Sequence, residues 1–305
     1  MTIVADRLTK RYGSKYAIQD VTFEIRPGAV TGFLGPNGAG KSTTMRSLVG
    51  LDHPTSGRGL IGGKPYRELK APLCHVGTLL DAKSAHRSRT AYQHLRWIAA
   101  THRLPKARVE EVMGIAGLSS VAGKKVGGFS LGMGQRLGLA VALLGDPHTL
   151  ILDEPVNGLD PDGVIWIRNL LKQLGREGRT VLLSSHLLSE LSLVADHVVI
   201  IGKGHIIADK PLAELVDQPD RIRVRSARPA KLMDVLAGEN VTRTLITDGT
   251  VEVSGLTADD IAARAARNGI VLTELSVVNA SLEDVYRELT RDQVEYSSEA
   301  PGTGQ

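Results

Sequence analysis

"GFLGPNGAGKSTTMRSLVG", residues 32–50, sets four glycines and a proline before a single lysine and then turns helical. The residues just upstream, "AVTGFLG" (29–35), form an apolar run that reads as a buried strand, and "TTMRSLVGL" (43–51) has the spacing of a helix. Between them lies Gly35-Pro36-Asn37-Gly38-Ala39-Gly40-Lys41-Ser42, followed by Thr43. A glycine-rich turn lets successive N–H groups point inward and approach phosphate oxygens without a Cβ in the way. The helix that follows adds the positive end of its dipole. Lys41 is placed as the cation for the outer phosphates, and Ser42 as a hydroxyl ligand for Mg²⁺. The expectation is a nucleotide site.

Working outward, a phosphate-bound Mg²⁺ calls for a carboxylate at the end of a neighbouring strand. "TLILDEP" (149–155) supplies Asp153 and Glu154 in succession at the end of an apolar run. Asp153 is expected to reach the metal through water, and Glu154 to accept a proton from an attacking water. Further strands are expected at 180–186 and in a hairpin over 197–209 around Lys203-Gly204, with helices at 164–178 and 187–196. Apolar strands joined by helices are the pattern of a parallel sheet covered on both faces. From about Ser84 to Gly145 the pattern is almost wholly helical, a block expected to form an inserted subdomain. Trp97 and Trp166 read as packing residues.

Composition narrows the class. An apolar share of 42% is ordinary for a globular chain, and Cys74, the single cysteine, excludes an internal disulfide framework and fits a reducing compartment. No run approaches the ~20 apolar residues of a membrane span, and the first residues lack a signal-peptide core. A net charge of +4, spread along the chain, does not argue for nucleic acid.

"FSLGMGQRLGLAVALLG" (129–145) holds a second candidate anion site, with Ser130 at an N-cap position before an apolar helix but no lysine of its own. Alone it reads as a capped core helix. With the lysine loop and the paired carboxylates, in this order, the chain resembles the ATP-binding subunit of an ABC transporter over residues 1 to about 210. The family's signature, ideally L-S-G-G-Q-x-Q-R, matches at Phe129 to Arg136. Ser130, Gly132, Gln135 and Arg136 stand in that stretch, while Leu131 and Met133 depart from the ideal, as in bacterial drug and antibiotic exporters.

The resemblance implies roles for further residues. Tyr12 matches the aromatic that stacks on adenine, and Asn157 to Asp160 match the loop coupling two ATP sites across a dimer. His186 matches the switch histidine at the γ-phosphate, and Ser130 and Gly132 would meet nucleotide held by the partner subunit. The family's strand-ending glutamine, which touches Mg²⁺ or the attacking water, is matched here by Asp81 in "VGTLLD". The implied protein is an ATPase that binds ATP and Mg²⁺ and pairs as a homodimer or with another ATPase subunit. It would drive a separate transmembrane permease from the cytoplasmic face of the membrane, exporting drug-like or antibiotic substrates. Two rivals, a soluble ABC-type ATPase acting on DNA or ribosomes and a P-loop kinase or GTPase, lack support: there are no tandem cassettes, and the signature and histidine are present.

After about Pro211 the order becomes strand, helix, two strands around Asp248-Gly249, helix, strand, then a helical "SLEDVYRELTRD", the split βαβ arrangement. The expected fold is therefore α/β, a P-loop NTPase core with an inserted helical subdomain (about 84–145), plus a small C-terminal α+β domain. The boundaries are 1–212 for the ATP-binding domain, 213–292 for the accessory domain, and 293–305 for a disordered tail.

Overall fold

The computed structural model describes residues 1–82, 84–216, 221–246 and 249–278. In chain order the elements are β1 (Ile3–Tyr12), β2 (Lys15–Ile25), β3 (Val30–Leu34), α1 (Lys41–Leu48), β4 (Ser56–Ile61), β5 (Val76–Leu79), α2 (Ala91–Thr101), α3 (Lys106–Ile115), α4 (Leu131–Leu143), β6 (Thr149–Leu152), α5 (Pro161–Arg176), β7 (Thr180–Ser185), α6 (Leu188–Leu191), β8 (His197–Gly202) and β9 (His205–Pro211). There follow α7 (Leu212–Val216), β10 (Arg221–Ser226), α8 (Pro229–Val235), β11 (Thr242–Leu245), β12 (Thr250–Ser254), α9 (Ala258–Arg267) and β13 (Leu272–Val278). The described residues fall into two compact units, 1–212 and 213–278.

The first unit is built on a six-stranded sheet in the order β5-β6-β7-β3-β8-β9, parallel except for the β8–β9 hairpin. Every residue of β3, β6 and β7 is buried, as strands covered on both faces require. The hairpin turns at Lys203 (φ 44°) and Gly204 (φ 83°), the two positive φ values that suit the twist of its strands. Beside this sheet lies an antiparallel one, β2-β1-β4. Ile3, Ala5 and Leu8 of β1 join Val21, Phe23 and Ile25 of β2 in one core with Phe33, Met45, Leu48 and Ile151. The rings of Phe23 and Phe33 stand 5.5 Å apart across that junction.

The helical block resolves into α2, α3 and α4, with turns and short 3₁₀ segments between α3 and α4. α2 opens on a reciprocal cap between Thr90 and Gln93. α4 lies so close to β5 that a Cβ on Gly77 would come within 2.0 Å of the Ala142 carbonyl oxygen. Trp97 is 54% exposed under the Arg89 guanidinium, so it is a surface ring rather than the packing residue expected. Trp166 stacks with Arg136.

Several boundaries differ from those read in the sequence. α1 starts at Lys41 rather than Thr43, because Gly40 (φ 109°) serves as its N-cap and ends the loop. α5 starts at Pro161, capped by Asp160, whose side chain accepts from the Gly163 N–H. The helix expected over 187–196 contracts to α6, where Leu187 offers no capping side chain.

In the second unit β11-β12-β10-β13 form an antiparallel sheet, and α8 and α9 share a core with it around Val224, Leu232, Val251 and Ile261. This order matches the split βαβ expectation. The helix expected over "SLEDVYRELTRD" and the tail after it lie outside the described residues. Among the described residues no helix is long and apolar enough to cross a membrane.

Candidate nucleotide site

The loop between β3 and α1 forms one wall of a cavity of about 580 Å³. Pro36, Asn37, Gly38, Gly40, Lys41, Ser42 and Thr43 line it on one side, and Asp81, Gln135, Asp153, Glu154 and Asn157 on the other. Gly35 and Ala39 lie behind the wall. A Cβ on Gly35 would meet the Ile201 carbonyl oxygen at 2.4 Å, so the first glycine of the motif is needed for close approach to β8.

Lys41 is buried. Its Nζ donates to the carbonyl oxygens of Gly35 (2.6 Å) and Pro36 (3.3 Å) and lies 3.7 Å from Glu154 Oε1. Burial pulls its pKa below the usual lysine value, and the charges of Glu154 and Asp153 only partly offset that. The ammonium is thus held at the loop by carbonyl dipoles and a carboxylate, in a place where an incoming phosphate would be a strong partner.

β6 ends at Leu152, and the next two residues diverge. Asp153 accepts from Ser42 Oγ at 2.5 Å through Oδ2, and its Oδ1 accepts from Ser184 Oγ. Ser42 and Asp153 thus present two hard oxygen donors side by side. Among the described residues no group of three or more His, Cys, Asp or Glu could hold a metal. Two oxygen donors beside a phosphate cradle fit Mg²⁺, which takes its other ligands from phosphate and water.

Glu154 adopts a left-handed backbone (φ 48°), unusual for a side chain of this kind. Its N–H donates to Ser184 Oγ at 2.9 Å, and its carbonyl accepts from Gln135 Nε2 at 2.8 Å. The carboxylate lies 3.0 Å from His186 Nδ1 and 3.5 Å from Asn157 Nδ2. Lys41, Ser42, Asp153, Glu154 and His186 therefore form one connected group. Asp81 lines the same cavity.

The remaining site residues lie elsewhere in this chain. Ser130 caps α4, accepting from the Met133 N–H at 3.2 Å, and lines a separate cavity of about 460 Å³ with Phe129 and Gly134. Gly132 abuts the carbonyl of Gly158, where a Cβ would come within 2.8 Å. Asp160 caps α5, its Oδ1 4.0 Å from Arg136. Tyr12 is half exposed at the end of β1, and its hydroxyl donates to Asp52 at 3.0 Å. Sequence reading missed the two residues that grip the Glu154 backbone, Ser184 and Gln135. Gln135 stood within the signature stretch, but nothing in its spacing pointed to Glu154.

The family model described as ABC transporter matches residues 18–157. A domain of unknown function matches 220–283, and an AAA domain described as a putative AbiEii toxin of a Type IV TA system matches 125–192. The uncharacterized ABC transporter ATP-binding protein YhcH of Bacillus subtilis (strain 168) is 38% identical over 94% of this chain and 95% of its own length. The bacitracin transport ATP-binding protein BcrA of Enterococcus faecalis is 32% identical over 94% of this chain and 96% of its own. Among solved structures, an ATP-binding subunit of an ABC transporter superposes with a TM-score of 0.64 at 27% identity, covering 70% of this chain and 92% of its own. A dimeric bacterial ABC transporter cassette gives the same TM-score at 25% identity, covering 69% of this chain and 98% of its own. With a phosphate loop, paired carboxylates and full-length relatives in agreement, the chain belongs to the ATP-binding proteins of the ABC transporter family and is an ATPase of the P-loop type.

Proposed function

We propose that this chain hydrolyses Mg-ATP at a site shared between two subunits and so drives a separate transmembrane permease that exports antibiotic-like substrates. The observation that carries the reading is the division of the phosphate-seeking groups. Lys41, Ser42, Asp153, Glu154 and His186 converge, while Ser130, at the N-terminus of a long helix, lines a different cavity of the same chain. Two anion-binding elements that line different cavities of one chain can be brought together across two. The dimeric cassette among the structural neighbours supports that arrangement. Export of antibiotics rests on relatives named for bacitracin and lantibiotic transport.

In the proposed reaction Lys41 and the loop N–H groups hold the β- and γ-phosphates. Ser42 and Asp153 would hold Mg²⁺, which would supply positive charge for the phosphate oxygens. Glu154 accepts the proton of the water attacking the γ-phosphoryl. His186, within hydrogen-bond reach of Glu154, orients that carboxylate and contacts the γ-phosphate. Asp81 would offer a further oxygen to the metal, Tyr12 stacks on adenine, and Ser130, Gly132 and Asp160 of one subunit close the site of the other.

Glu154→Gln keeps the shape of the base and removes its proton-accepting oxygen. The variant is expected to bind ATP, to lose turnover by roughly 100-fold or more, and to persist as an ATP-bound dimer on size exclusion. Wild-type turnover by Glu154→Gln would remove Glu154 from the role and bring Asp81 forward.

A further inference from the structure

Gln135 is 4% exposed, lies in the second turn of α4, and spends its amide on the carbonyl of Glu154 at 2.8 Å. That carbonyl belongs to a residue in the left-handed region, where a carboxylate side chain is strained and needs outside support to stay. The support has two ends. Ser184, fully buried on β7, accepts the Glu154 N–H, and Gln135 donates to the Glu154 carbonyl. Between those two bonds the direction of the Glu154 side chain is fixed toward Lys41 and His186.

α4 is tied to the following loop at two further points. Gly132 packs on the Gly158 carbonyl, and Arg136 lies 4.0 Å from Asp160 while stacking on Trp166. The first two turns of the helix capped by Ser130, the 157–160 loop and the backbone of Glu154 are thus joined by one hydrogen bond, a close backbone approach and an ion pair. On the proposed reading, Ser130 and Asp160 face the partner's nucleotide, whereas Glu154 serves the chain's own.

We propose that Gln135 is a positioning residue that holds Glu154 in its left-handed conformation, and through it the helix end offered to the partner's ATP sets the base of the chain's own site. A shift of α4 when Ser130 is engaged would be passed to Glu154 through one buried hydrogen bond. Nothing in this link requires Gln135 to touch nucleotide. The inference rests on the shared-site reading.

Gln135→Met keeps the length and packing of the side chain and removes the donor. In the full-length chain it is expected to lower kcat for ATP by roughly 10- to 100-fold with KM nearly unchanged, the pattern of a misplaced catalytic group. In single-turnover measurements Gln135→Met should add little to the loss already present in Glu154→Gln. A wild-type kcat, or a full further loss in the Glu154→Gln background, would overturn the proposal. Mixing adds a test of direction. Gln135→Met should regain ATPase activity when mixed with Ser130→Arg but not with Lys41→Met, so that a residue of the Ser130 helix groups with Lys41. Recovery with Lys41→Met instead would place its effect at the Ser130 end and overturn the proposal. If Glu154→Gln hydrolysed ATP normally, the underlying reading would fail, whereas normal Gln135→Met beside an inactive Glu154→Gln would fail this inference alone.

Discussion

Lys41 shows the tension between stability and function at the scale of one residue. Its ammonium is held in a desolvated place where burial outweighs the favourable carboxylates, so its pKa lies below the ordinary lysine value. The sign follows from linkage. A lysine that binds its proton less tightly when folded destabilises the fold below its folded pKa, and that penalty fades as pH rises toward the unfolded value. Lys41→Met, close in shape and without charge, is therefore expected to unfold at the parent's temperature or above it at neutral pH. On the proposed reading its ATPase activity should fall roughly 100-fold or more, since a cation that meets transition-state charge is gone. Calorimetry of unfolding and of ATP binding checks both halves; a clearly lower unfolding temperature would contradict the pKa argument. Lys41, Ser42, Asp153 and Glu154 were legible in the sequence because backbone turning, helix start and strand end all leave local marks. Ser184 and Gln135 were not, since each meets Glu154 across 30 and 19 residues of chain, and a buried amide leaves no periodicity.

Among elements, α2 and α4 carry the clearest tests. His94 on α2 is 7% exposed, and its Nδ1 has no hydrogen-bond partner. Burial first, and the Arg89 charge second, push its pKa below the ordinary 6.5. The folded protein then binds fewer protons than the unfolded chain just below that pH, so stability falls as pH drops through 6.5. His94→Leu should flatten this acid-side slope, measured as urea midpoints across the range. An unchanged slope would assign it to other groups. For α4, Gly77→Ala must push a Cβ against the Ala142 carbonyl at 2.0 Å, and backbone cannot swing aside as a side chain can. The expected loss is about 1–3 kcal/mol or more in denaturant unfolding; parent-like stability would show that α4 can shift. The strands flanking these helices were readable as apolar runs. β1 was not, because its inward pattern breaks between Ala5 and Leu8, where Arg7 takes φ 47° and the register with β2 shifts. An irregular strand does not alternate, and three of its ten residues, Arg7, Lys10 and Arg11, are basic.

For the whole molecule, the family resemblance told more than periodicity did. Periodicity alone leaves Ser130 as a cap on a core helix, and the structure keeps that cap. What the fold adds is a division of the lining: Ser130 lines a cavity that adjoins the Lys41 cavity, with Ala82 and Leu131 lining both. On the proposed reading the two are completed across a dimer. Mixing two separately inactive chains tests it most directly. A Lys41→Met chain keeps Ser130, and a Ser130→Arg chain keeps Lys41, so each homodimer has two broken sites while the mixed dimer has one intact and one doubly broken. With both chains shown to be folded, ATPase activity and ATP-dependent dimerisation should reappear on mixing. Equal amounts of the two proteins that neither hydrolyse ATP nor dimerise would contradict that reading.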